Sequence, residues 1–360
     1  MGQILTFLGK GGTGRTTSAV AVAKAAAAQG YKTLLVSQQP EPALALLLGI
    51  PIGPTPTELG PRLQVVHLRA TVLLEQHWTQ ARELEAKYVK TPFFKEIYAQ
   101  ELPVLPGFDL WLGLDALRRY EAEYDYVIFD GSGDLQTLRM LGMPEVASWY
   151  WRRVTQAFQN SDLAKTIVPF LNPLLQSVTS VNISLEDLPR QVEGPHRFLE
   201  AGRQAVADPN RVRAYLVTTG DPAARQTARY LWGSAQMIGL TVGGVLVTKA
   251  QDPIPPQEFA PIPMLALPPH NSWDPLVEAV KPLLSVPHVP PPVAVDVAGR
   301  TVRLFIPGFD KKQIELSQSG PELTITAGDQ RRNLAIPPAL AGRQVSGAKF
   351  QEPYLVISFS

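Results

Sequence analysis

Residues 4–17, Ile-Leu-Thr-Phe-Leu-Gly-Lys-Gly-Gly-Thr-Gly-Arg-Thr-Thr, constrain this chain more than any other stretch. A short apolar strand, Ile4–Leu8, runs into a glycine loop, and an alanine-rich helix is predicted to start near Thr16. Strand, glycine loop and helix in that order form the setting in which backbone N–H groups cradle phosphate oxygens. Gly9, Gly11, Gly12 and Gly14 let the backbone turn its amides inward, and the helix N-terminus adds partial positive charge. The pattern G-x-x-x-x-G-K-[ST] spans Gly9 to Thr16, with Arg15 in place of its lysine. The stretch from Gly9 to Thr17, including Thr13, is the predicted nucleotide-phosphate site. Thr16 stands where a Mg²⁺-ligating hydroxyl belongs. Lys10 adds a second cation one residue after the first glycine.

Around this loop the chain alternates strand and helix. Leu5–Leu8, Thr33–Ser37, Tyr126–Asp130, Ala214–Thr218 and Gly244–Thr248 are aliphatic runs spaced too widely for hairpins. Such runs suit parallel strands buried on both faces, joined by helical crossovers. Asp130 ends its strand, where a carboxylate can hold the water shell of Mg²⁺ beside phosphates. Gly131–Asp134 then forms a loop placed for the third phosphate. Helical insertions are expected at about 60–120, including Thr71–Tyr98, and at about 140–205, including Val146–Phe158 and Leu163–Val178 with Pro169 and Pro173 interrupting. Residues 286–292 lie within a proline-rich stretch that reads as a stiff linker. From 293 to 360 the grammar changes to short, often alternating strands: Val293–Val297, Val302–Ile306, Gln313–Leu316, Glu322–Thr326, Arg332–Ile336 and Leu355–Phe359. They predict a small antiparallel sandwich without a chemical cluster.

Composition narrows the function classes. The 360 residues can bury a sizeable core in two or three domains. A net charge of +1 gives no basic footprint for nucleic acid. The absence of cysteine excludes thiolate zinc sites, cysteine-ligated iron–sulfur clusters and disulfides. No uninterrupted apolar stretch of about 18 residues is present, so no spanning helix is expected. Neither is a signal peptide, and the expected location is the cytoplasm.

On these motifs residues 1–285 resemble the ArsA-type ATPases, which include arsenite-pump ATPases and the tail-anchored-protein targeting ATPase. Gly9–Thr17 is similar to the deviant Walker A loop, G-K-G-G-x-G-[KR]-T-T. Leu34–Leu44 resembles the family's switch I pattern, V-S-T-D-P-A-H-S-L. Tyr126–Glu145 resembles F-D-T-A-P-T-G-H-T-L-R followed by leucines and Pro-Glu. Gln226–Arg229 and Gly244–Lys249 add weaker support. Pro307-Gly308-Phe309, Arg331-Arg332 and Gly347–Phe350 through Phe359 resemble the α-crystallin-like domain appended to some members. The resemblance implies a P-loop NTPase fold, α/β with a mostly parallel sheet and helical insertions, followed by an all-β α-crystallin-like sandwich over 293–360.

The resemblance also assigns roles. Lys10 reaches across a homodimer to the partner's nucleotide, ATP and Mg²⁺ bind, and Thr16 and Asp130 serve the metal. The chain departs from the pattern at three places. Gln39 aligns with the carboxylate that activates water, Arg15 with a lysine, and Gln136 with a histidine. Gln39 and Asp134 are the residues left to orient water, and Thr248 takes the place of an adenine-binding asparagine, leaving base selectivity open. Slow hydrolysis is expected. Three readings follow: an ATP-switched dimer that escorts hydrophobic helical polypeptides, a partition or positioning ATPase, and a catalytically degenerate nucleotide-binding scaffold. An arsenite pump is disfavoured because its thiols are missing. For client contact the segment 140–205 offers Trp149, Tyr150, Trp151, Val154, Phe158, Ile167, Phe170, Leu171, Leu174 and Leu175.

Overall fold

The computed structural model describes residues 2–39, 41–88, 97–159, 188–249 and 253–360. The expected helix Leu163–Val178 lies outside them, as do Ile167, Phe170, Leu171, Leu174 and Leu175, and the Val154 and Phe158 side chains. Apolar runs become β1 (Gln3–Leu8), β2 (Thr33–Ser37), β3 (Thr57–Gly60), β4 (Leu63–His67), β5 (Tyr126–Asp130), β6 (Val212–Thr218), β7 (Thr241–Val247) and β8 (Met264–Ala266). They form one eight-stranded sheet in the order β3-β4-β2-β5-β1-β6-β7-β8. All neighbours pair in parallel except β3 with β4. Every residue of β2, β5, β6 and β7 is buried, as continuous aliphatic strands covered on both faces require. β4 lies inside the stretch expected to be a helical insertion, and it extends the sheet beyond β2.

The helices are α1 (Arg15–Ala28), α2 (Glu41–Leu48), α3 (Ala70–Tyr88), α4 (Phe108–Glu123), α5 (Leu135–Gln159), α6 (Leu188–Ala207), α7 (Pro222–Met237) and α8 (Trp273–Val280). α1 is built from alanine and valine, so it sits close to the sheet. Ala19, Val20, Val22, Ala23 and Ala26 join Leu5, Phe7, Leu35 and Ile128 in one core cluster.

The chain divides into two compact units. One comprises Leu68–Ala116 and Gly142–Gln204. Within it Trp78 donates its indole N–H to the Ile97 carbonyl at 3.2 Å, and Phe108 stacks on Trp111. The other unit holds the large sheet and also the C-terminal strands. Those strands are β9 (Val293–Asp296), β10 (Thr301–Phe305), β11 (Ile314–Ser319), β12 (Glu322–Ala327), β13 (Gln330–Ala335), β14 (Val345–Gln351) and β15 (Tyr354–Phe359). They make antiparallel sheets β14-β15-β10-β9 and β11-β12-β13 around Val302, Leu304, Ile325 and Ile357.

Helix α7 carries this sandwich. Trp232 meets Phe305 edge-to-face at 5.4 Å, and Tyr230 meets Phe309 at 5.3 Å. At Gly233 an added Cβ would lie 2.6 Å from the Phe309 ring, so the close approach needs glycine. Arg332 donates to the Gln236 carbonyl at 3.3 Å, and Met237 belongs to the sandwich core. The proline-rich stretch is also packed, with Pro287 3.0 Å from the place a Cβ would take on Gly243.

Candidate nucleotide site

The glycine loop leaves the C-terminal end of the central strand β1, the end at which parallel α/β sheets bind ligands. Gly9 lies so close to the Val217 carbonyl of β6 that a side chain there would collide with it. Gly12 and Gly14 have φ of 82° and 92°, left-handed conformations that glycine adopts without strain. Thr13 is buried and turns its hydroxyl back to the Lys10 carbonyl at 2.9 Å, closing the loop on itself. Lys10, Gly11 and Gly12 are exposed at the tip. α1 begins at Arg15 with no side-chain cap, which leaves its first amides for an external acceptor. Thr17 is half-buried in the same turn.

Asp130 is almost fully buried at the end of β5. Burial pushes its carboxyl up to about 6, against the opposing pulls of the Thr16 hydroxyl and the Arg15 guanidinium. One carboxylate oxygen accepts no hydrogen bond. A buried, half-satisfied carboxylate beside a threonine hydroxyl fits a hard cation with oxygen ligands. Among the described residues no group of three or more His, Asp or Glu side chains makes a separate metal site.

The 131–134 loop folds against the phosphate loop. The Gly9 N–H donates to the Gly133 carbonyl at 2.9 Å, and the Gly133 N–H donates to Thr137 Oγ1 at 2.9 Å. Arg15 donates to the Ser132 carbonyl and, at 3.5 Å, to that of Gly131. Burial lowers the pKa of this guanidinium, while Asp130 and Asp134 pull the other way. Asp134 caps α5: its Oδ1 accepts from Ser132 Oγ at 2.6 Å and from the Gln136 N–H at 2.8 Å. The Gln39 side-chain amide donates to the Gly131 carbonyl, so both the β2 loop and the phosphate loop hold one peptide group.

Two further expected residues have defined partners. Lys10 pairs with Asp221 at 3.3 Å, both side chains being half-exposed. Asp221 also caps α7 by accepting the Ala224 N–H at 2.8 Å. That backbone bond, then Lys10, hold its carboxyl below the usual range. Thr248 donates to the Thr13 carbonyl at 2.5 Å and lies against Gly14, so it buttresses the glycine loop. Sequence reasoning passed over Asp221 and His67, whose Nε2 lies 2.7 Å from the Gln39 carbonyl. Only Asp221 carries a local signal, an aspartate before a proline at a helix start.

Residues 2–253 match the model of the anion-transporting ATPases, and 298–359 match that of the HSP20-like domain found in ArsA. A putative arsenical pump-driving ATPase of Chlorobaculum tepidum is 26% identical over 400 residues, covering 99% of this chain and 96% of its own. A putative arsenical pump-driving ATPase 1 of Aquifex aeolicus is 20% identical, covering 99% of this chain and 100% of its own. The ATPase ASNA1 homolog 1 of Paramecium tetraurelia is 25% identical over 157 residues, 42% of this chain and 47% of its own. With a nucleotide-type glycine loop, a strand-end aspartate and a C-terminal β sandwich in this order, the chain belongs to the ArsA ATPase family.

Proposed function

We propose that this chain is a Mg²⁺-dependent ATPase that turns over slowly, closes as a two-fold dimer, and escorts apolar helical polypeptide segments. The half-satisfied Asp130 carboxylate beside Thr16, under an uncapped glycine loop, carries the reading. Thr16 and Asp130 would hold the metal, which neutralises charge building on the phosphate oxygens when bound. The loop amides, from Gly11 to Thr17, and Arg15 bind the triphosphate. Thr248 supports the loop from behind, at the position where base contact is expected.

Hydrolysis joins a water oxygen to the γ-phosphorus and breaks the bond to the β–γ bridging oxygen, the water proton passing to phosphate or solvent. Gln39 orients this water as a neutral amide. Asp134 is the alternative, although its Oδ1 is engaged in capping α5. A missing general base typically forfeits about 10²–10⁴ in rate, which is why turnover is slow. Lys10 from a partner copy supplies charge to the opposite nucleotide across an isologous interface. For this it leaves Asp221. The engagement of the Gln39 amide by the Gly131 carbonyl favours a second reading, a nucleotide-binding scaffold that does not hydrolyse.

Client escort is supported by apolar exposure. Leu105 and Tyr98, Val146 and Tyr150 at one-turn spacing, and Phe198 are exposed, all in the unit made of Leu68–Ala116 and Gly142–Gln204. Photo-crosslinking to an apolar helical peptide should label this unit more strongly with ATP present. Labelling no stronger than with a polar control peptide removes client escort from the proposal.

A further inference from the structure

Arg15 and Gly133 are packed as a matched pair. The Arg15 side chain lies across the bare α-carbon of Gly133: a Cβ built there falls 2.6 Å from Cζ and 2.7 Å from Cδ. Gly133 has φ of 67°, in the left-handed region. Each part of this residue touches a different piece of the site. Its N–H goes to Thr137 at the start of α5, its carbonyl to Gly9, and its α-carbon to Arg15. The guanidinium uses Nη1 for the Ser132 and Gly131 carbonyls. Among the described residues, Nε and Nη2 donate to no protein acceptor.

We propose that Arg15 bridges the nucleotide phosphates and the 131–133 backbone, one edge of the guanidinium holding the loop and the other the phosphate oxygens. Gly133 is the residue that makes room for that bridge. A guanidinium presents five N–H donors in a planar fork, whereas a lysine at this place offers one point of charge. The peptide it holds, Gly131, also accepts the Gln39 amide, so the arginine sets where the water-orienting residue sits. A phosphate oxygen on the open edge offsets the cost of burying the guanidinium, whose pKa burial lowers. Arg15 and Gly133 are positioning residues for the loop. The inference rests on the site being an ATP site.

The test combines Arg15→Lys, Gly133→Ala and the double variant in the full chain. Readouts are Mg²⁺-ADP affinity and nucleotide-induced protection of amides 131–137 from hydrogen exchange. Arg15→Lys is expected to weaken Mg²⁺-ADP binding up to about tenfold and, compared at equal saturation, to lose about tenfold in the protection that binding confers. Gly133→Ala should lower affinity about tenfold alone and about threefold less steeply beside Arg15→Lys, because the lysine vacates the space the methyl needs. Gly133→Asn, which tolerates positive φ but carries a Cβ, separates the collision from backbone strain and should behave as Gly133→Ala does. Full protection in Arg15→Lys, or an equal Gly133→Ala penalty in both backgrounds, overturns the bridge alone. If Gly133→Ala does not fold, the Arg15→Lys protection decides. Failure of the unsubstituted chain to bind Mg²⁺-ADP overturns the ATP site and the bridge with it.

Discussion

Replacing Asp130 by asparagine keeps the shape of the side chain and removes its charge, and the structure fixes what this does to stability as pH changes. Burial raises the carboxyl from 3.8 to about 6. At about 1.36 kcal/mol per unit, ionising it in the folded chain costs about 3 kcal/mol more than in the unfolded one. The folded state holds the proton more tightly. The penalty is therefore absent below the unfolded value, grows as pH rises towards about 6, and is constant above it. Asparagine carries no such penalty, although its amide N–H₂ inherits the unpartnered position and has a fixed cost of its own. The comparison that isolates the charge is the difference in unfolding free energy between the two chains. Urea titrations without metal should show it moving by about 2.4 kcal/mol in favour of Asp130→Asn between about pH 4 and pH 7.5. Saturating Mg²⁺ and nucleotide should restore the advantage of the unsubstituted chain, by about 2.7 kcal/mol at a hundredfold excess over Kd. A pH-independent difference would refute the claim that Asp130 is a buried, half-satisfied carboxylate suited to a cation.

Gln39→Asp should raise phosphate release by about tenfold or more by supplying a base, with ATP affinity changed only a few fold; unchanged turnover with binding intact would show that position 39 is not limiting. Asp221→Asn keeps the α7 cap but weakens the hold on Lys10, so sedimentation with Mg²⁺-ATP should show dimers at lower protein concentration than for the unsubstituted chain. Equal dimerisation in both would remove the Lys10–Asp221 pair from the assembly step. Trp232→Ala should cost about 3–5 kcal/mol in urea unfolding because it empties the contact between α7 and the β sandwich; a loss under about 1 kcal/mol would mean that the sandwich does not depend on this helix.

The parallel strands were legible because both faces are covered, and Thr33–Ser37 and Tyr126–Asp130 stand as read from their aliphatic runs. β4 was missed: five residues, Leu-Gln-Val-Val-His, carry little signal in a stretch dominated by helical spacing. β14 escaped for another reason. Its Val-Ser-Gly-Ala-Lys-Phe-Gln is an exposed edge strand without alternation. The glycine loop, Thr16 and Asp130 stood out as candidates because each belongs to a short local pattern, a glycine run before a helix or a strand-end carboxylate. The partners that restrain them did not, since they come from far along the chain. Lys10 meets Asp221 across 211 positions, and Arg15 meets Ser132 across 117. The fit of Arg15 over Gly133 is a property of two loops, visible only once β1 and β5 lie side by side.

The central claim is that Gly9–Thr17 and Asp130 hold Mg²⁺-ATP, and calorimetric titration with a non-hydrolysable ATP analogue tests it most directly. Binding should saturate at one nucleotide per chain, strengthen at least about tenfold with Mg²⁺, and lose that metal dependence in Thr16→Ala while binding without metal changes little. Absence of binding by the unsubstituted chain, or a Mg²⁺ dependence that survives Thr16→Ala intact, would contradict it.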